Sequence, residues 1–294
     1  MSGGPPLART ETAEALRLLR EGCARLRADP ADYPLQYSMW DALKRLGKWD
    51  EAVVALKATL RRYGYGPPRA RQKAMLGRVA LVAVDCSDPD LALHAMGMSL
   101  ARCVFREALL LTDRPLTAPG VRVSQMQRRI DSTESYSEFM VKSLLHAVDA
   151  DYVLVIQWDG FVADAARWSE QFLKFDYLGA RWPHYTDAHS VGNGGFSLRS
   201  RKLLEALQDP QVRELHPEDF AICRAYRPYL ERAHAIDFAP PEIADRFAFE
   251  YDISSTRTFG FHGMIHLPRF VEEPRVKSLA FLEPFIERWS DELL

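Results

Sequence analysis

The sequence lacks most of the features that announce a common chemistry. Its 294 residues hold four cysteines, Cys23, Cys86, Cys103 and Cys223. None forms a CxxC pair or falls at zinc-site spacing, so neither a disulfide framework nor a structural zinc site is expected. No apolar run approaches the roughly 18 residues of a transmembrane helix. The opening Met1-Ser2-Gly3-Gly4-Pro5-Pro6 has no apolar core of signal-peptide type. Together these absences predict a reduced, cytoplasmic protein without a transmembrane segment. Neither sign of charge is in excess: 38 Lys and Arg stand against 40 Asp and Glu, a formal net charge of -2. No nucleic-acid partner is expected from such a balance. Short basic clusters remain at Arg128-Arg129 and at Arg199, Arg201 and Lys202. A Walker A loop, a GxGxxG fingerprint, a HExxH pair and a GxSxG elbow are all missing.

What is present is an ordinary globular composition, 47% apolar and 27% charged, enough to bury a core without staples. Residues 1–10, with their glycines and prolines, are expected to be a disordered tail. Apolar residues then recur at helical spacing in three stretches: Leu16, Leu19, Cys23 and Leu26; Trp40, Leu43 and Leu46; Ala52, Val53, Leu56 and Leu60. Gly47 supplies the turn between the last two. A helical region over 11–66 follows, closed by a linker at 64–68. From residue 75 to 294 the grammar is that of an α/β domain. Strands are predicted at 79–85, 107–113, 121–124 and 152–157, with helices at 89–102 and 136–148. Near-continuous apolar strands separated by helices imply a mostly parallel sheet covered on both faces. The stretch 192–199 reads as a Gly-rich loop leading into a helix over 200–207.

In open sheets of this kind ligands bind beyond the carboxyl ends of the strands. Asp85, Asp113 and Asp159 lie at such ends. Asp159 before Gly160 is equally the start of a turn. Glu218-Asp219 is a second acidic pair; a carboxylate there can take a proton from a hydroxyl nucleophile, or can cap a helix. Gly192-Asn193-Gly194-Gly195 lets a substrate approach the backbone, or is a plain loop. His262 and His266 are four apart, but Gly260, Gly263 and Pro268 argue against the helix a zinc site would need. His262, flanked by glycine, is the better ligand candidate.

Four segments occur in order: Gln157-Trp158-Asp159-Gly160, Gly192-Asn193-Gly194-Gly195-Phe196-Ser197-Leu198-Arg199, Pro217-Glu218-Asp219-Phe220 and Phe259-Gly260-Phe261-His262-Gly263. As a set they resemble an uncharacterised bacterial family of glycosyltransferase-like domains, which in turn resembles the GT-A nucleotide-sugar transferase fold. The resemblance implies a Rossmann-like mixed, mostly parallel sheet with a small helical N-terminal region. It implies transfer of a sugar from a nucleotide-diphosphate donor to an acceptor hydroxyl with inversion. Asp219 would be the base, with Glu218 close behind. Asp85, Asp113, Gln157, Asp159, Gly194 and Gly195 would meet the donor. Asp159 and His262 would hold a divalent metal, Mn²⁺ or Mg²⁺. Gln157 stands where the first acid of the DxD metal motif belongs, which weakens that metal site. The acceptor stays open among glycan, peptide and small molecule. Separately, residues 43–56 resemble the second half of a tetratricopeptide repeat. They are read either as a helical cap or as a docking site for a protein partner. The alternative to an enzyme, which Gln157 keeps open, is an inactive ligand-binding adaptor docked through those helices.

Overall fold

A computed structural model describes residues 7–66, 72–251 and 257–294. Part of the expected tail, residues 1–6, and part of the expected linker, 67 and 68, lie outside the described residues. The rest of the expected tail is not all irregular, because helix α1 (Arg9–Ala28) already begins at Arg9. The chain divides into two compact units, Met1–Pro67 with Met264–Leu294, and Pro68–Gly263.

The first unit follows from the 3.6-residue period. α1, α2 (Tyr33–Arg45) and α3 (Trp49–Tyr63) bury Leu16, Leu19, Cys23 and Leu26; Leu35, Met39, Trp40 and Leu43; and Ala52, Leu56 and Leu60. Gly47, with φ +66°, makes the predicted turn between α2 and α3, a conformation open to glycine at little cost. Residues 264–294, which the sequence reading runs on from the α/β domain, group with these helices instead. Their apolar residues Phe281, Ile286 and Trp289 are buried. Phe281 meets Trp40, and the Trp289 indole N–H donates to Glu51 at 3.1 Å. Among the described residues no helix is long and apolar enough to cross a membrane.

The second unit is built on a six-stranded sheet. In chain order its strands are β1 (Ala74–Val84), β2 (Cys103–Thr112), β3 (Arg122–Gln125) and β4 (Tyr152–Ile156). β5 (Phe161–Val162) lies outside this sheet; β6 (Tyr177–Leu178) and β7 (Phe196–Ser200) complete it. The spatial order is β3-β2-β1-β4-β7-β6. β1 to β4 are parallel and β7 alone runs against its neighbours. A smaller sheet joins β5, β9 (Gly260–Phe261) and β8 (Ala248–Phe249). Residues 79–84 of β1 are all buried, as expected of a strand covered on both faces. One covering layer is the helical run 133–147, whose Met140 and Leu144 pack on Ala80, Val82, Leu109 and Val155. It holds a π-helical turn over Phe139–Ser143.

The stretch 192–199 departs from its sequence reading. Its second half is strand β7, every residue buried, because pairing with β4 overrides the glycine-rich start. The order also fixes where a ligand site belongs. β2 lies on one side of β1 and β4 on the other, so the strand order reverses between β1 and β4. The crevice beyond their carboxyl ends is the topological switch point.

Candidate functional site

The switch-point edge collects side chains from four separate stretches of chain. Beyond β4 the ladder continues by one bond, from Gln157 N–H to the carbonyl of Gly195 at 3.0 Å. This brings the turn before β7 alongside the end of β4. Asn193 sits in the left-handed region at φ +63°, and its side-chain oxygen accepts from Phe196 N–H. Gly194 and Gly195 then face two different groups at very close range. A Cβ on Gly195 would lie 2.2 Å from His262 Nε2, and one on Gly194 would lie 2.2 Å from Glu218 Oε1. Both positions need glycine because no side chain fits between the turn and the residues packed on it.

The first group centres on His262, just after β9. Its Nε2 is 3.1 Å from Gln157 Oε1 and 3.3 Å from Asp159 Oδ1. Its Nδ1 is 3.1 Å from Glu250 Oε1 and 3.1 Å from Asn193 Nδ2. The Asp159 and Glu250 carboxylates at opposite ring nitrogens favour the doubly protonated imidazolium, against the Asn193 amide N–H that also meets Nδ1. Burial by itself lowers the imidazole pKa, but the Asp159 and Glu250 carboxylates outweigh it and hold the ring well above its ordinary value. The Gln157 amide also donates to the Tyr136 hydroxyl at 3.3 Å.

The second group centres on Glu218 and Asp219, at the start of the short helical turn Glu218–Phe220. Arg199 of β7 is fully buried, and its Nη2 meets Glu218 Oε1 at 2.7 Å. The other Glu218 oxygen accepts from Asp219 N–H at 2.8 Å. Asp219 in turn accepts from Gly194 N–H at 3.3 Å and Phe220 N–H at 2.8 Å. Burial, and then the neighbouring Glu218 charge, raise the Asp219 pKa above its ordinary value. A carboxylate made more basic in this way takes a proton more readily, as a general base must.

The structure thus brings together Gln157, Asp159, His262 and Gly195, and joins them through Gly194 to Glu218 and Asp219. The two remaining strand-end acids have partners of their own. Asp85 accepts from Ser87 and Asp88 N–H at 2.8 and 2.7 Å, a turn-capping role, and Asp113 pairs with Arg129 at 3.1 Å. Sequence reasoning missed Glu250, Asn193, Tyr136 and the role of Arg199. Arg199 was grouped with Arg201 and Lys202 as a basic patch. The structure dissolves that patch: Arg199 is inside, Arg201 pairs with Glu205 and Lys202 with Asp176.

The expected metal pair Asp159 and His262 is adjacent but does not fit a divalent ion as placed. Among the described residues no group of three or more His, Cys, Asp or Glu has the geometry to hold one.

A cleft of about 420 Å³ lies elsewhere, between β3 and the helical run 133–147, lined by Met126, Arg128, Arg129, Phe139 and His146. None of the candidate site residues lines it.

Comparison with known proteins gives three findings. A family described as "Protein of unknown function (DUF5672)" matches residues 121–262, which carries the four motifs from Gln157 to His262. No curated protein matches. Among solved structures, the chain is similar to the mannosyltransferase PcManGT from Pyrobaculum calidifontis in complex with GDP-Man and Mn²⁺. That likeness has 10% identity and a TM-score of 0.31 over 83% of this chain and 86% of that one. A superposition that loose supports no argument about fold or chemistry.

Proposed function

We propose that the protein is a GT-A-like glycosyltransferase that moves a sugar from a nucleotide-diphosphate donor to an acceptor hydroxyl with inversion. The observation that carries the reading is Asp219. It is a carboxylate of raised basicity, held by the backbone of a glycine turn at the carboxyl edge of a mostly parallel sheet. An acceptor hydroxyl is a weak nucleophile and needs such a base. In the proposed step the Asp219 carboxylate takes the hydroxyl proton. The hydroxyl oxygen bonds to the anomeric carbon while the bond from that carbon to the diphosphate oxygen breaks, and the nucleoside diphosphate leaves with the electron pair. A base of this kind contributes about 10²- to 10⁴-fold in rate.

Glu218 has a different role in this reading. Both its oxygens are engaged, one by Arg199 and one by Asp219 N–H, so it positions the base. Gly194 and Gly195 let Glu218 and His262 pack against the turn, whose backbone borders the donor sugar. Gln157, Asp159, His262 and Glu250 form the polar floor beside it. Asp85 and Asp113 border the nucleotide end at β1 and β2. No step is routed through a metal, because the residues present do not fit one.

The test is isothermal titration of the full chain with UDP-, GDP- and dTDP-sugars, with and without Mn²⁺. Saturable binding of at least one donor is expected. A folded protein that binds none of them would remove the transferase reading.

A further inference from the structure

Beside the proposed base lies a patch of aromatic rings that none of the foregoing uses. The loop over 181–191 is closed by an antiparallel bridge between Arg181 and Val191 and by Trp182 N–H donating to the Ser190 carbonyl at 2.7 Å. Trp182 is buried, its ring lying where a Gly192 side chain would be. On it rests Tyr185, with centroids 5.7 Å apart, and His184 lies 4.4 Å from Tyr185. Tyr251 meets His184 edge-on at 5.8 Å and 86°. Tyr251 is 48% exposed, and Phe220, next in sequence to Asp219, is 42% exposed. A cluster of aromatic rings with one of them half exposed offers an apolar face that a ligand can cover.

Two connections tie this patch to the site. Arg224 leaves the π-helical turn Ala221–Ala225, which directly follows Asp219 and Phe220. Its guanidinium lies 4.0 Å over the Tyr185 ring and grips both oxygens of Asp187, at 2.6 and 2.9 Å. On the other side, Tyr251 follows Glu250, the partner of His262. Burial, then the charges of Glu250 and Asp219, push the Tyr251 phenol up. The patch is therefore joined to the turn that follows Asp219 and to the residue next to Glu250.

Its charge selects the ligand. Arg224 is neutralised by Asp187, and Arg181 pairs with Asp245 at 3.0 Å. Neither guanidinium is left to receive an anion, and Glu250 is itself paired with His262. Aromatic faces beside carboxylate and hydroxyl acceptors suit a ring with an apolar C–H face and a hydroxyl edge. We infer that His184, Tyr185 and Tyr251 form the acceptor subsite, and that the acceptor is an uncharged sugar ring, not a phosphate- or carboxylate-bearing molecule. The inference rests on the transferase reading and narrows it to a glycan acceptor.

The experiment is saturation-transfer NMR on the full chain. The probes are methyl β-D-glucopyranoside, methyl β-D-galactopyranoside and methyl N-acetyl-β-D-glucosaminide, with methyl β-D-glucuronide as the anionic counterpart. UDP, GDP and dTDP are titrated separately. At least one neutral glycoside is expected to bind, and more tightly than the glucuronide. Tyr251→Ala and His184→Ala should each weaken it roughly two- to twelvefold, the range of an aromatic face contact, with the loss confined to the sugar. Circular dichroism confirms that both variants fold. If a nucleotide binds but no neutral glycoside does, or if both variants bind sugar as the parent does, the acceptor inference is overturned while the transferase reading stands. If neither nucleotide nor glycoside binds, both fall.

Discussion

Replacing Arg199 with methionine removes the cation from a carboxylate that has nowhere else to discharge. Arg199 is fully buried and Glu218 is 6% exposed, so the pair at 2.7 Å is shielded from water. Removing one member of such a pair costs about 3–5 kcal/mol, because the charge left behind stays buried without compensation. Replacing both charges, as Arg199→Met with Glu218→Gln, should recover most of that loss. Glutamine still offers an oxygen to Asp219 N–H, and no stranded charge remains. Amide hydrogen exchange read by mass spectrometry on the β4 and β7 peptides reports this unit separately from the helical one. The single variant is expected to exchange roughly a hundred- to several-thousandfold faster there, the equivalent of about 3–5 kcal/mol. Acceleration below about tenfold, or a double variant no slower than the single, would refute the account of Arg199 as the anchor of Glu218.

Three further outcomes follow from the same geometry. Gly195→Ala places a methyl 2.2 Å from His262 Nε2; it should displace the ring and weaken donor binding at least about tenfold, read by calorimetry, while unchanged affinity would show the close packing to be dispensable. The His262 pKa is raised in the folded state, so its stabilisation is complete below the unfolded value of about 6.5 and is lost as pH rises through the folded value. His262→Gln should therefore flatten the decline in unfolding temperature above that point, and a parallel decline in both proteins would contradict the imidazolium assignment. Because no group of three or more His, Cys, Asp or Glu among the described residues is placed to hold an ion, Mn²⁺ titrated into the donor-free protein near neutral pH should show no saturable binding that His262→Gln abolishes; calorimetry showing such binding would restore the metal pair.

The long buried strands were legible because their apolar runs, 79–84 in β1, 108–111 in β2 and 152–156 in β4, are bounded by polar residues and too short for a buried helix. The two-residue strands β5, β6, β8 and β9 carry no periodicity, and β7 was hidden behind Gly194 and Gly195. At the site, the motifs around Asp159, Asp219 and His262 could be read in sequence, and the structure places these stretches along one edge. Glu250 could not, since nothing around it repeats or spaces like a ligand and its partner is twelve residues away across a strand pair. Arg199 was misread for a physical reason: β7 is buried along its whole length, while 201 and 202 begin the exposed helical turn that follows it. The end of the α/β unit was also invisible, because helical spacing in 283–293 says which face is buried and not against what.

The central claim is that Asp219 is the base of a nucleotide-sugar transferase. It is tested most directly by following release of nucleoside diphosphate from bound UDP-, GDP- or dTDP-sugar in the parent chain and in Asp219→Asn. The account predicts release that falls about 10²- to 10⁴-fold in the variant, with donor affinity nearly unchanged. Release that is equally fast in Asp219→Asn would contradict it.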